Sequence, residues 1–283
     1  MDSFYIITNE KKDPGHVTTE SVAEYLRSRR KTCRLAGAVS SPDADGTDSG
    51  IPSDAECVLV LGGDGTMIRA AAEVVDYQIP LFGINLGTLG YLAEVDLQSV
   101  YPALDRLMNG SFTVENRMRV RGKVFRDGAL VGEGASLNEI VIGRDDGMKM
   151  LKLNVYVNDD YLYTYHADGI IIATPTGSTA YNLSAGGPIV DPAASLFVMT
   201  PLAPHTLNTR SVILPPENVI TVEIASWKNK ESESAMAYFD GEKKVPLCLG
   251  DRIVIDRAER VTKIIKISDS SFLEILRRKM AQV

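Results

Sequence analysis

Residues Gly62-Gly63-Asp64-Gly65-Thr66 combine three glycines with one carboxylate and one hydroxyl. Glycines between a buried strand and a helix let backbone amides approach a phosphate closely, and the helix dipole favours negative charge there. No Lys-Ser/Thr pair follows, as a Walker A loop would require, and the spacing does not fit the dinucleotide fingerprint with its later ribose-binding acid. Asp64 is then the informative residue. A carboxylate beside phosphates repels them unless it holds a cation or takes a proton from an attacking hydroxyl. The loop therefore predicts phosphoryl transfer to an alcohol, with Asp64 as proton acceptor and Gly63, Gly65 and Thr66 around the phosphates. A turn aspartate without chemistry is the competing reading of any Asp-Gly pair.

A second tract, residues 168–188, carries more glycine, serine, threonine and alanine than a simple core strand needs. Such residues offer hydroxyl donors and acceptors with close backbone approach, suited to a ribose, a carboxamide and a base edge. Tyr181 adds a stacking face. Ser184 has no His-Asp partner at a suggestive spacing, so it is read as a hydrogen-bonding group and not as a nucleophile.

These residues need elements to position them. Phe4-Tyr5-Ile6-Ile7 reads as a strand, and Val22, Tyr25 and Leu26 recur at helical spacing after it. Cys57-Val58-Leu59-Val60-Leu61 is a continuous apolar strand that stops at the glycines, and residues 67–75 follow as a helix. Another strand over 80–85 lies within crossover distance, the pattern of a parallel sheet covered by helices. Residues 1–107 are thus expected to form an α/β domain. Beyond Asn109-Gly110, short β-prone segments such as 151–157 alternate with turns such as Asn158-Asp159-Asp160, which predicts a mainly β domain over 108–264. Ser271 and Glu274 make a capping box, and Phe272, Ile275 and Leu276 form an apolar stripe. Residues 265–283 are expected to return to the first domain, ending in a helix that packs on it. Residues 40–54, rich in Ser, Asp, Gly and Pro, read as a surface loop. Arg117, Arg119, Arg121 and Lys123 recur at every second position, the pattern of a solvated strand face with Met118, Val120 and Val124 behind it, or else of a subunit or ligand contact.

Composition bounds the partners. No apolar stretch in the 283 residues approaches the roughly 20 that a membrane helix needs. No signal-peptide pattern opens the sequence, so the cytoplasm is the expected compartment. A net charge of −7 argues against a general phosphate-backbone binder, so no nucleic acid partner is expected. Cys33, Cys57 and Cys248 are far apart and read as free thiols; three scattered histidines make no zinc cluster.

Taken with Asn85-Leu86-Gly87-Thr88-Leu89-Gly90-Tyr91-Leu92, Leu137-Asn138-Glu139, Pro204-His205-Thr206-Leu207 with Arg210, and Phe239-Asp240-Gly241, the two tracts resemble the NAD kinase family over nearly the whole chain. The resemblance implies ATP-dependent phosphorylation of the adenosine 2′-hydroxyl of NAD to NADP, with a divalent cation, magnesium by expectation, and no tightly bound prosthetic group. Carried over by position, Asp64 matches the family's general base and Gly65 lies in the phosphate-contacting loop. Asn138 and Glu139 match the pair that engages the adenosine part of NAD. Asp168, Thr179, Ala180, Tyr181 and Ser184 match positions that contact the dinucleotide, and Asp240 resembles a ligand position. The resemblance also implies a homodimer or homotetramer in which Asp168 reaches the ligand of a neighbouring subunit. His166 stands where this family often has arginine and is included as a ligand contact; His205 is read as structural.

Two other readings stay open on the residues alone. Lipid kinases of the diacylglycerol and sphingosine type share the glycine loop, although the small polar tract does not suit an acyl chain. A non-catalytic NAD(P)-binding regulator would keep the site without turnover, against which Asp64 counts.

Overall fold

The computed structural model describes residues 1–37, 50–87, 90–145, 150–206, 210–226, 235–268 and 271–281. The chain divides into two compact units, Met1–Asn116 with Thr262–Val283, and Arg117–Val261. In chain order the first unit opens with β1 (Ser3–Thr8), α1 (Val17–Ser28), β2 (Thr32–Leu35), β3 (Cys57–Gly62), α2 (Asp64–Val74), β4 (Leu81–Asn85), β5 (Val95–Asp96), α3 (Val100–Met108) and β6 (Thr113–Arg117). The second holds β7 (Val120–Arg126), β8 (Ala129–Ser136), β9 (Glu139–Arg144), β10 (Leu151–Val157), β11 (Asp160–Ala167), β12 (Gly169–Ala173), α4 (Tyr181–Ser184), β13 (Phe197–Leu202), β14 (Val212–Leu214), β15 (Ile220–Ala225), β16 (Ala235–Phe239), β17 (Lys243–Leu247) and β18 (Arg252–Arg257). The chain then returns to the first unit with β19 (Thr262–Lys266) and α5 (Phe272–Met280).

The sheet of the first unit runs β2-β1-β3-β4-β19-β6, with β5 also beside β4. Its central pairs, from β2 to β19, are parallel. Parallel strands joined through helices are covered on both faces and need apolar side chains on both. Cys57-Val58-Leu59-Val60-Leu61 supplies them, and all five residues of this run in β3 are buried. Helix α1 buries Val22, Ala23 and Leu26, and α2 buries Met67, Ala70, Ala71 and Val74. Helix α2 begins at Asp64, three residues before its apolar spacing starts, because a polar first turn leaves no hydrophobic trace. In α5 the capping box forms in both directions, Ser271 N–H to Glu274 and Glu274 N–H to Ser271 Oγ, each at 3.2 Å. Phe272, Ile275 and Leu276 are half-buried, while Leu273, off the stripe, is exposed.

The second unit is a pair of antiparallel sheets, β11-β10-β15-β18-β7-β8 and β14-β13-β12-β9-β16-β17. One core joins them: Leu153, Val222 and Ile253 from the first sheet meet Ile142, Ile170 and Ala237 from the second. Strand alternation sends Ile171, Ala173 and Val198 to the other face of the second sheet, where Ala185 and Val190 cover them.

The arginine stripe does not form a solvated face. Arg117 closes β6, Arg119 lies in the break before β7, and both are buried. The strand ends where the two-residue period was expected to continue, and Arg119 Nη2 donates to Ala135 O at 3.1 Å. Arg121 and Lys123 alone share a strand face, and Arg121 grips Asp256 through two hydrogen bonds of 2.9 and 2.6 Å. Residues 40–49 of the expected surface loop lie outside the described residues, as do Thr88, Leu89 and Leu207. At the end of that loop Ile51 and Pro52 are buried, so this part is packed and not solvated.

Candidate active site

In the first unit, three loops leave the carboxyl ends of β1, β3 and β4, the edge at which parallel α/β sheets receive ligands. They are stitched together by backbone bonds, Asn9 N–H to Leu61 O and Leu86 N–H to Gly62 O, each at 2.9 Å. Gly62 is small by necessity, since a side chain there would overlap that of Thr66. Thr66 is buried, and its Oγ1 accepts from Asn9 Nδ2 at 3.1 Å. Thr66 therefore holds the loop together from beneath, while Gly65 is exposed.

Asp64 is the first residue of α2 and half-buried. The Tyr91 N–H donates to its Oδ2 at 2.8 Å and the Leu92 N–H to its Oδ1 at 3.0 Å. Gly90 permits this approach, because a side chain there would collide with the Asp64 carboxylate. Each carboxylate oxygen keeps a further lone pair, so the group is fixed in orientation and still able to accept a proton. Lys12 also stands beside the loop. Its side chain is exposed, and its ammonium lies 2.9 Å from where a side chain on Gly63 would begin and 3.5 Å from the same point on Gly87. A mobile cation between two glycine turns is suited to phosphate oxygens. Nothing local to Lys12 signals this, since it sits in a charged loop some fifty residues before the glycines.

In the second unit, a cavity of about 760 Å³ opens beside the second sheet; of the residues singled out from the sequence, Glu139, Asp168, Tyr181, Ser184 and Asp240 line it. Asn138, His166, Thr179 and Ala180 do not. Asn138 is buried with its backbone against Gly177, where any side chain would collide with it. His166 lies in β11, half-buried, opposite Lys152. Thr179 and Ala180 are half-buried in the turn before α4.

The small polar residues of 168–188 largely serve the fold. Gly169–Ala173 is a fully buried strand. Thr174 Oγ1 donates to Leu137 O at 2.6 Å, Ser178 Oγ bonds Val190 O at 3.1 Å, and Asn182 Oδ1 accepts from Thr200 at 2.7 Å. Their hydroxyl and amide groups are engaged internally because they are buried, and a buried polar group must be satisfied. Tyr181, 48% exposed, and Ser184 are the residues of the tract that bring hydroxyl groups to the exposed surface, beside the exposed Leu183 and Gly186.

Asp240 takes the left-handed conformation at φ 49° before Gly241. Its carboxylate accepts three backbone N–H groups, from Leu137 at 2.7 Å, Asn138 at 2.9 Å and Glu139 at 3.1 Å. It thus sets the start of β9. Burial raises its carboxyl above the ordinary range, opposed by those three amides and by Arg119. Glu139 is only 8% exposed. Its Oε2 is buried without a hydrogen-bond partner, and burial, then the Asp240 charge, pushes its carboxyl up to about 8. Two lining residues that the sequence did not reveal are Arg144 and Tyr238. Arg144 pairs with Asp168 at 3.2 Å; the pairing of β9 with β12 brings them together from 24 residues apart. Among the described residues no three His, Cys, Asp or Glu side chains converge on one point. No helix among them is long and apolar enough to cross a membrane.

The glycine loop of the parallel α/β unit, with its amide-held aspartate, has the groups that a phosphotransferase needs, and the cavity of the β-rich unit is lined by both polar and apolar residues. The sequence pattern of the ATP-NAD kinase N-terminal domain matches residues 6–112, and that of the ATP-NAD kinase C-terminal domain matches residues 137–267. An NAD kinase of Agathobacter rectalis is 44% identical over 99% of both chains, and one of Lachnospira eligens is 40% identical over 99% of this chain and all of its own. Yeast NADH kinase, solved with NADH, superposes with a TM-score of 0.82 at 22% identity over 99% of this chain and 88% of its own. An Archaeoglobus fulgidus NAD kinase, solved with ATP, gives 0.77 at 24% identity over the full length of both. The two structures share the fold. The chain belongs to the ATP-NAD kinase family. The lipid-kinase and non-catalytic readings find no support in these relatives.

Proposed function

We propose that this chain transfers the γ-phosphoryl group of ATP to the adenosine 2′-hydroxyl of NAD, giving NADP and ADP. The observation that carries the chemistry is the Asp64 carboxylate, held by the Tyr91 and Leu92 amides at the start of α2 with lone pairs to spare. The 2′-oxygen attacks the γ-phosphorus, its proton passes to Asp64, and the bond to the β-phosphate oxygen breaks. Gly63 and Gly65 leave the backbone open to the phosphates, while Thr66 keeps the loop in shape. A divalent cation, magnesium in this reading, comes with ATP and offsets phosphate charge. Glu139, Asp168, Tyr181 and Ser184 hold the dinucleotide in the cavity. Asn138, His166, Thr179 and Ala180 lie outside the lining of that cavity and carry no direct contact in this reading, and Asp240 acts through the backbone of residues 137–139. The enzyme works in the cytoplasm as a homodimer or homotetramer; the exposed Tyr161, Leu162 and Tyr163 on the edge strand β11 favour such an assembly.

An NAD analogue lacking only the adenosine 2′-hydroxyl tests the acceptor. It should compete with NAD and take no label from γ-labelled ATP; labelling of the analogue would move the transfer to another group. Lys12 enters as the contact to the transferred phosphoryl group. Lys12→Ala should lower kcat/KM for ATP by roughly 10²-fold, the usual effect of removing one donor to a developing oxyanion, with NAD affinity unchanged by calorimetry. An unaltered kcat/KM would remove Lys12 from the site.

A further inference from the structure

Glu94 belongs to neither constellation, yet its carboxylate is buried and tied to the end of β19. Its side chain is 1% exposed and pairs through Oε2 with the Lys266 ammonium. Its Oε1 accepts from the Ile267 N–H at 2.9 Å, the Ser268 N–H at 2.7 Å and the Ser268 hydroxyl at 2.6 Å. Burial alone would raise its carboxyl, but the hydrogen bonds and charge of Lys266 and the bonds from Ser268 outweigh it and hold the group below its ordinary range. Its own N–H donates to Gly83 O at 2.9 Å. Gly83 lets the chain lie that close, since a side chain there would begin 2.8 Å from the Ala93 Cα.

The segment 90–94 is therefore fixed on both sides, to β4 through Gly83 and to the end of β19 through Glu94. It is also the segment whose Tyr91 and Leu92 amides hold the two oxygens of Asp64. The anchor stands two positions after Leu92 and three after Tyr91, the residues whose amides it steadies. A carboxylate placed by backbone groups is only as well placed as that backbone, and displacement of a reacting group by about 1 Å can cost on the order of 10²-fold in rate. A buried ion pair is weak evidence of stabilisation in itself, since an apolar pair often serves as well. Its value here is geometric.

We propose that Glu94 is the positioning residue for Asp64: it anchors segment 90–94 to the end of β19, and so holds the amides that aim the base. The proposal rests on the reading of Asp64 as proton acceptor in NAD phosphorylation. It is tested by initial rates with NAD, ATP and magnesium in a double-mutant cycle. Glu94→Gln keeps the shape of the side chain and loses the charge facing Lys266. Its kcat should fall roughly 10- to 100-fold, with KM for NAD and for ATP nearly unchanged. Ser268→Ala removes one bond to the same carboxylate and should lower kcat by a smaller factor. In an Asp64→Asn background neither change should lower kcat further, because a residue acting only through Asp64 has nothing left to aim. The same factor in both backgrounds, a rise in KM in place of a fall in kcat, or an unchanged kcat would each overturn the proposal. Should Glu94→Gln fail to fold, the Ser268→Ala cycle decides alone. Absence of NADP from the wild-type enzyme would overturn the functional reading and this proposal with it. Wild-type turnover with an unaffected Glu94→Gln overturns the proposal only.

Discussion

Asp64→Asn is expected to fold, to bind NAD as the wild type does, and to turn over roughly 10²- to 10⁴-fold more slowly, the usual share of a general base. The substitution keeps the size of the side chain and removes the proton acceptor. kcat and kcat/KM should fall together, because proton transfer occurs only in the transition state. The geometry adds a second, smaller effect. Both Asp64 oxygens receive a backbone N–H, from Tyr91 and Leu92. An asparagine amide must turn its NH2 toward one of those donors, leaving that N–H unsatisfied at a cost of about 1–3 kcal/mol. A lowered unfolding temperature with intact NAD binding is thus part of the expected result. Full turnover in a folded Asp64→Asn would show that the hydroxyl proton leaves by another route.

Glu139 is expected to make NAD binding pH-dependent. Its carboxyl is pushed up to about 8 by burial and then by Asp240, so near pH 7 it is protonated and offers an O–H donor to the cavity. As pH rises through about 8 the donor becomes a buried anion. NAD affinity should then weaken by up to tenfold per pH unit, the limit for binding that needs one proton. Stability follows the same sign. A carboxyl whose folded value lies above its unfolded one binds more protons when native, so stability declines as pH climbs from the ordinary glutamate range to about 8 and is level beyond. Glu139→Gln carries a donor that cannot ionise. It should flatten the pH dependence of NAD affinity measured by calorimetry, and raise the unfolding temperature at pH 8 more than at pH 5. Binding that is flat with pH in the wild type would mean that Glu139 is already ionised at pH 7.

The sequence made the parts of the site with local signatures legible. The apolar run into Gly62 announces a buried strand, and the glycines that follow announce the tight turn into α2, because both are written in consecutive residues. The α/β and β-rich halves follow from the change of period after Asn109-Gly110, and the capping box of Ser271 and Glu274 is likewise local. What stayed hidden depends on residues distant in sequence. Lys12 meets Gly63 only because β1 and β3 are neighbours in register. Arg144 meets Asp168 only because β9 pairs with β12. Thr174, Ser178 and Asn182 looked like ligand groups by composition, and only their burial shows that they close the fold. The arginine stripe misled for a related reason: a period of two says nothing about where a strand ends, and the break after Arg117 turned two expected surface residues inward.

The central claim is the identity of the acceptor and of the group that receives the phosphate. Purified wild-type protein incubated with NAD, ATP and magnesium, followed with a dehydrogenase that responds only to the 2′-phosphorylated dinucleotide, tests it most directly. NADP should form in step with ADP, and none without ATP. ADP release with no NADP, or label passing to diacylglycerol and not to NAD, would contradict it.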